Sequence, residues 1–251
     1  MVYGSRQIAV NFTGRKFKIA IVIGSLVLAF LLVIFSPTFR IEEVVIHGNF
    51  QVSRADIMER LALTNTSNIF MFNTNAAHDR IMGNLYIGDV TFRRDFPNRL
   101  YVTVLERRFS AYVEHTPGNI LLLDDVGRVL SVRSVMSESL PILEGLQFNR
   151  WQLGEILNVE NATDFDNIVL YTQLLIAHGL IHQVTNINVS DPFNIRILVN
   201  YMEFHVGGVS DADEKVRTIA AMLEHSPDAG MLRGYVDMRV RRSEYFFRIL
   251  Q

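Results

Sequence analysis

Two histidines at a spacing found among metal ligands are the first residues in this sequence that could do chemistry. His178 and His182 are four positions apart, which would place both side chains on one face of a helix. Gly179 stands between them, however, and is expected to end the helix. Because no glutamate follows His178, the pattern also differs from a zinc-hydrolase motif. We therefore expect no metal site here.

Two acidic clusters could in principle supply a general acid and a general base. Asp124 and Asp125 lie in a predicted hairpin turn, and Asp211, Asp213 and Glu214 lie at a predicted helix start. Carboxylates are favoured at both kinds of position for structural reasons. The sequence contains no nucleophile elbow, phosphate-binding loop or dinucleotide fingerprint. We therefore expect neither catalytic residues nor a cofactor.

The last residues of the chain are suited to a different task, the binding of another protein. Glu244–Leu250 is predicted to be a strand, with alternate side chains on opposite faces. A last strand is expected at the edge of its sheet, where unpaired backbone groups can accept a partner strand. The alternative is that one face covers the domain core and the other faces solvent.

The composition restricts the class of protein. The 251 residues are 49% hydrophobic and 20% charged, which is typical of a globular chain. A net charge of −2 does not indicate bulk nucleic-acid binding. The absence of cysteine excludes disulfides, zinc fingers and iron–sulfur clusters.

A long apolar run lies near the start of the chain. Ile19–Ser36 has no charged residue, and as a helix its 18 residues would span about 27 Å, close to the thickness of a bilayer core. A cleavable signal peptide would have a shorter apolar core and a better cleavage site than Ser36-Pro37-Thr38. The run therefore predicts an uncleaved transmembrane helix.

The charges around the run predict its orientation. Residues 1–18 contain four cations and no acid, and the rest of the chain is mildly acidic. The positive-inside rule then places the N-terminus in the cytoplasm and the body outside, with Arg15, Lys16 and Lys18 as the topology signal.

The body is predicted to be α+β, in two parts. Residues 40–107 have the order β-α-α-β-β, with a helix capped by Ser53, another capped by Asn73 or Asn75, and then two strands. The first strand and the turn that follows it are placed at 40–50, and the other two strands at Ile87–Arg94 and Leu100–Glu106.

Residues 108–251 are predicted to form a mixed, mainly antiparallel β domain with two helices. One helix covers Asp164–His178 with Thr163 as its N-cap, and the other follows Ser210. The segment from Pro141 to Gly154 is expected to be irregular. The predicted strands are Ile120–Leu123, Arg128–Val132, Val184–Val189, Ile195–Val199, Met202–Val206, Gly234–Val240 and Glu244–Leu250.

An ordered set of short motifs behind one anchor resembles the FtsQ/DivIB cell-division family. None of these strings is specific alone. The chain departs from the family pattern at Arg108, where a proline is usual. The motifs, in chain order, are Val45–Asn49 with Val52-Ser53, Val90–Leu100, Glu106-Arg107, Asp124–Val129, Leu140–Gly145, Lys215 and Val236–Arg239.

The resemblance implies a domain plan and a function. Residues 1–18 would be a cytoplasmic tail, 19–36 the transmembrane helix, 40–107 a POTRA domain and 108–251 an extracytoplasmic β domain. The protein would be a non-enzymatic scaffold at the division septum that links FtsB/DivIC and FtsL and helps to control septal peptidoglycan synthesis. Its late strands would bind FtsB/DivIC through Val240, Tyr245, Phe246, Phe247, Arg248 and Ile249.

Two other classes of protein remain open at this point. One is a membrane-anchored extracytoplasmic enzyme that acts on the cell wall. The other is a POTRA-type export or assembly factor, which would be expected to show tandem POTRA repeats or a barrel. The sequence leaves the type of cell envelope open.

Overall fold

The computed structural model describes residues 14–191, 193–225, 233–240, 245 and 247–249. The chain forms two compact units, Met1–Glu106 and Arg107–Gln251. Each unit has its own sheet.

The first element is a long apolar helix, α1, which spans Arg15–Ile34. Its 20 residues extend about 30 Å. The segment Phe17–Ile34 has a mean hydropathy of 2.8, and α1 is the one helix among the described residues that is long and apolar enough to cross a membrane.

The limits of α1 differ from those of the apolar run Ile19–Ser36. The helix begins earlier, because arginine and lysine are themselves good helix formers. It also ends earlier, because Pro37 restricts Ser36 to an extended backbone, after which Pro37–Phe39 forms one turn of 3-10 helix. The first turn of α1 therefore contains Arg15, Lys16 and Lys18.

The rest of the first unit has the predicted order β-α-α-β-β. Ser53 caps the first of its helices and Asn73, rather than Asn75, caps the second. In the sheet, β3 lies between β1, which is parallel to it, and β2, which is antiparallel. The elements are β1 (Glu43–His47), α2 (Arg54–Leu61), α3 (Thr74–Met82), β2 (Ile87–Asp95) and β3 (Arg99–Glu106).

Contacts within this unit explain two of the motifs. The Glu106 carboxylate accepts hydrogen bonds from the N–H groups of Phe50, Gln51 and Val52 at 2.8–2.9 Å, and so fixes the loop after β1. Gly48 has φ +81°, and a Cβ there would lie 2.1 Å from the Val104 carbonyl oxygen. The loop therefore requires both glycine and glutamate.

The second unit contains a nine-stranded sheet in the order β12-β11-β10-β9-β8-β7-β4-β5-β6. Five of its eight strand pairings are antiparallel. Helix α5 packs against α4 and β10, and α4 also contacts β4. The elements are β4 (Phe109–Thr116), β5 (Asn119–Asp124), β6 (Val129–Arg133), β7 (Ile142–Glu144), α4 (Ala162–Ala177), β8 (Val184–Asn188), β9 (Ile195–Val199), β10 (Met202–Gly207), α5 (Ala212–His225), β11 (Gly234–Asp237) and β12 (Phe247–Ile249).

Several predictions for this unit were wrong in detail. The segment after Pro141 is not wholly irregular, because β7 pairs in parallel with both β4 and β8. The N-cap of α4 is Asn161, whose Oδ1 accepts from the N–H of Thr163 at 3.1 Å. Helix α5 does not start directly after Ser210, because Asp211 adopts φ +57° before the helix begins.

Candidate partner-binding edge

Strand β12 is the terminal strand of the nine-stranded sheet, as expected for the last strand of the chain. It runs antiparallel to β11, with Tyr235 opposite Arg248 and Val236 opposite Phe247. Among the described residues, β11 is its one neighbour in the sheet. An antiparallel strand directs alternate backbone N–H and C=O groups away from its neighbour, so β12 presents groups that a further strand could pair with.

A row of polar and aromatic side chains crosses the sheet towards this edge. The register places Glu203 of β10 beside Tyr235 of β11, which in turn lies opposite Arg248 of β12. The exposed Arg248 donates from Nη1 to the Tyr235 hydroxyl at 3.1 Å, and its guanidinium lies 5.8 Å from the ring centroid. The row therefore orients a cation at the open edge.

A second row, formed by Arg196 and His205, lies beside the first and contacts it. The ring of His205 stacks on Tyr235 with centroids 5.1 Å apart. The Glu203 carboxylate lies 3.3 Å from Nη1 of Arg196 and 3.5 Å from Nε2 of His205. The two rows thus form a half-buried polar face on β9, β10 and β11.

The opposite face of the same strands is apolar and fully buried. Phe204 and Val236 are neighbours in register and have almost no exposed surface. Alternation along β10 and β11 therefore gives the sheet one face towards the helices and one towards the exterior. Sequence reasoning missed Tyr235 and His205, although the same alternation in Met202–Val206 was visible.

Asp237 ends β11 and is paired with the residue two positions later. Arg239 donates from Nε to Oδ1 at 2.9 Å and from Nη2 to Oδ2 at 2.7 Å. This bidentate hydrogen bonding lowers the pKa of Asp237 from 3.8 to about 2. The N–H of Met238 also donates to the His205 carbonyl at 2.9 Å. The chain is therefore fixed to β10 just beyond β11.

A buried lysine supports the end of β10 from the helix side. Nζ of Lys215 donates to the Val206 carbonyl at 2.6 Å, and its contact with the Gly208 carbonyl is 3.4 Å. The Tyr171 hydroxyl donates to the Gly208 carbonyl at 2.9 Å. Burial lowers the pKa of Lys215 and raises that of Tyr171. These contacts assign a structural position to the lysine noted in the family motif.

The structure brings part of the predicted set of binding residues together. Phe247, Arg248 and Ile249 are in β12, and Arg248 is exposed. Val240 is 64% exposed and lies beyond the end of β11, and Tyr245 is half-buried. Phe246 lies outside the described residues.

The two histidines weighed as metal ligands bond to different groups. Nε2 of His178 lies 2.9 Å from Oδ1 of Asp213, and Nδ1 of His182 lies 2.9 Å from the Ser139 carbonyl. In the part of the chain that the structure describes, no group of three or more His, Cys, Asp or Glu side chains could hold a metal ion.

Asp124 has a structural position in the β5–β6 hairpin. Its fully buried carboxylate accepts from the N–H groups of Val126 and Arg128 at 3.1 and 2.8 Å. It also lies 3.3 Å from Nη1 of Arg107 and 3.8 Å from Nε of Arg128. The neighbouring Asp125 is half-buried, and burial together with the Asp124 charge raises its pKa.

Comparison with known proteins finds similarity to cell-division proteins along most of the chain. Residues 39–107 match the family described as POTRA domain, FtsQ-type. The cell division protein DivIB of Clostridium tetani is 22% identical over 213 residues, which cover 84% of this chain and 80% of that protein.

Two further relatives extend the range of organisms. DivIB of Clostridium botulinum, strain Hall, is 24% identical over 84% of this chain and 82% of its own length. The cell division protein FtsQ of Bradyrhizobium diazoefficiens is 29% identical over 38% of this chain and 28% of its own length. An FtsQ-type POTRA domain at residues 39–107 and cell-division relatives along most of the chain together support a place for this protein in the FtsQ/DivIB family.

Proposed function

We propose that this protein is a non-enzymatic scaffold of the bacterial divisome that binds an FtsB/DivIC-type partner by strand addition at β12. Its relatives are cell-division proteins, and a cell-division role is the part of this proposal that they support directly. The scaffold also links an FtsL-type protein and thereby helps to control septal peptidoglycan synthesis.

The open edge at β12 is the observation that carries the proposal. A partner strand laid beside β12 would pair with backbone groups that have no strand on their outer side among the described residues. Backbone pairing supplies affinity, and the side chains along the edge supply specificity. Arg248, set by Tyr235, would favour an acidic side chain on the partner.

The membrane anchor gives the scaffold its location. Among the described residues one helix, α1, is apolar and long enough to span a membrane, and together with the cell-division relatives it fits a single-pass membrane protein at the septum. We infer that the N-terminus is cytoplasmic, since Arg15, Lys16 and Lys18 lie at the start of α1. The POTRA domain and the sheet domain then lie on the outer side, where the POTRA domain docks other division proteins.

Capture of the partner in a shared membrane tests the proposal. The full chain is co-reconstituted with an FtsB/DivIC-type protein, and Phe247→Asp or Phe246→Pro is expected to reduce co-purification strongly. An aspartate at position 247, opposite the buried Val236, introduces a charge that is costly to desolvate, and proline at position 246 removes a backbone donor and disrupts an added strand.

The other edge of the same sheet offers a matched control. Val132 of β6 is 41% exposed, so Val132→Asp introduces the same charge into an edge strand at the far end of the sheet. Binding should survive this change. Unchanged binding by a folded Phe247→Asp variant would contradict strand addition at β12. Hydrolysis of peptidoglycan by the purified chain would instead favour the enzyme class.

A further inference from the structure

Three phenylalanine rings form an exposed cluster in the first unit. The ring centroids of Phe39 and Phe70 are 4.9 Å apart, and those of Phe70 and Phe96 are also 4.9 Å apart. Phe70 is 41% exposed and Phe96 is 55% exposed. We call these three residues the aromatic cluster. It exposes apolar surface although none of its members belongs to the partner-binding edge.

Hydrogen bonds connect this cluster to the end of α1. Nδ2 of Asn68 donates to the Ile34 carbonyl, the last residue of the helix, at 2.8 Å. Backbone bonds join Ile69 N–H to the Phe39 carbonyl at 2.9 Å and Ile41 N–H to the Ser67 carbonyl at 2.8 Å. The loop that carries Phe70 is therefore fixed to the residues that leave the apolar helix.

The surroundings of the cluster have the same apolar character. Phe35, directly after α1, is 59% exposed, and Met71, next to Phe70, is 64% exposed. Two exposed arginines lie nearby in the chain: Arg40 follows Phe39, and Arg94 donates from Nη2 to the Phe72 carbonyl at 2.9 Å. Apolar side chains beside arginines are typical of segments at a membrane surface.

The position of the cluster indicates which surface covers it. Ile34 is the last residue of the segment able to cross a bilayer, so groups bonded to it lie at the boundary between acyl chains and headgroups. Aromatic side chains are favoured at this depth. The anchor itself therefore brings the cluster to the lipid, with no additional partner required.

We propose that the aromatic cluster inserts into the headgroup region of the leaflet at the C-terminal end of α1. The insertion holds the POTRA domain against the bilayer in one orientation, so that this domain does not reorient freely about the end of α1. The proposal rests on α1 spanning the membrane and is independent of partner binding at β12.

A single tryptophan placed in the cluster reports its depth. The chain has one tryptophan, Trp151, which is first replaced by phenylalanine. Phe70→Trp and Phe96→Trp are then made separately in the full chain, and each is reconstituted in nanodiscs with one chain per disc. The emission of both tryptophans should be blue-shifted. Its intensity should fall by more than half when the lipids carry bromine near the headgroup.

Two further tryptophan positions serve as controls. Phe50→Trp lies at the opposite end of the three-stranded sheet, beside Glu106, and Phe50 is 90% exposed. Its emission should stay red-shifted and unquenched. Phe30→Trp lies within α1 and should be quenched by lipids brominated deeper in the acyl chain.

Each remaining outcome overturns the proposal in a distinguishable way. If Phe30→Trp is quenched but Phe70→Trp and Phe96→Trp are not, α1 spans the bilayer and the aromatic cluster does not insert. Absence of quenching at Phe30→Trp removes the anchor as well. If Phe50→Trp is quenched as much as Phe70→Trp and Phe96→Trp, the POTRA domain has no fixed orientation on the bilayer. If the blue shift appears only with two chains per disc, and brominated lipids do not quench the emission, the cluster binds a second copy of the chain and not lipid.

Discussion

The nine-stranded sheet ends in two edges that are treated differently by the chain. At β6, the N–H of Val129 donates to the Glu155 carbonyl at 2.9 Å, and its carbonyl accepts from Gly154 N–H at 2.8 Å. A bridge between Arg128 and Ile156 extends this cover. At β12, the described residues place no chain on the outer side of the strand.

The difference suggests how one sheet can offer a single pairing edge. An uncovered edge is a template for any extended chain, including a second copy. Residues 154–157 bond to the first residue of β6 and to the turn before it, which removes that template at the start of the strand, and Asp124 fixes the same turn. Under the proposed function, strand addition would then be directed to β12, where Arg248 and Tyr235 would restrict which strand fits.

The largest expected effect comes from breaking the β6 end. Asp124→Ala removes a fully buried carboxylate that accepts from two backbone N–H groups and pairs with Arg107 and Arg128. Breaking a buried ion pair costs about 3–5 kcal/mol. Urea unfolding of the full chain in detergent, followed by Trp151 fluorescence, should show a loss of this size.

The neighbouring acid is the matched control. Asp125→Ala removes a half-buried carboxylate whose pKa is raised by burial and by the Asp124 charge, so the change relieves repulsion. Its free energy of unfolding should be unchanged or higher. Equal losses for the two variants would mean that Asp124 is not what fixes the β6 end.

A smaller effect is expected at the other end of the sheet. Lys215→Met removes the donor to the Val206 and Gly208 carbonyls at the end of β10, and an unsatisfied buried acceptor costs about 1–3 kcal/mol. Amide hydrogen exchange in β10 and β11 should become faster, while exchange in β5 and β6 changes less. Arg217→Met, which removes an exposed cation from the same helix, should leave both regions unaffected.

The predictability of these regions from sequence follows the range of the interactions that form them. The order of elements in 40–107 was confirmed because caps and apolar periodicity act within a few residues of each other. Strand β7 was missed because its three residues are defined by neighbours far away in the chain, β4 and β8.

The candidate site divides in the same way. The edge position of the last strand follows from chain order, and the structure has β12 at the sheet edge. The row from Glu203 through Tyr235 to Arg248 depends on the register of three strands, which no local pattern specifies. The role of each predicted binding residue, including Phe246, stays a prediction.

The smallest expected effect concerns the exposed ion pair next to the open edge. Arg239→Gln removes both guanidinium bonds to Asp237, so the pKa of this carboxyl should rise from about 2 towards 3.8. Because the pKa is lowered in the folded state, the pair stabilises the protein above pH 3.8 and this contribution is lost as the pH falls through about 2. The pair is partly exposed and screened, so the loss at neutral pH should be below about 1 kcal/mol.

Carboxyl carbon shifts of labelled aspartate measure this change directly, and they separate it from a general loss of structure. If Asp237 still titrates near 2 in the Arg239→Gln chain, another group fixes the end of β11. If the pKa rises as expected while capture of the FtsB/DivIC-type partner is unchanged, the Asp237–Arg239 pair sets the path of the chain beyond β11 and contributes little to recognition. Specificity at the open edge would then depend on Arg248 and Tyr235, which the β6 edge lacks.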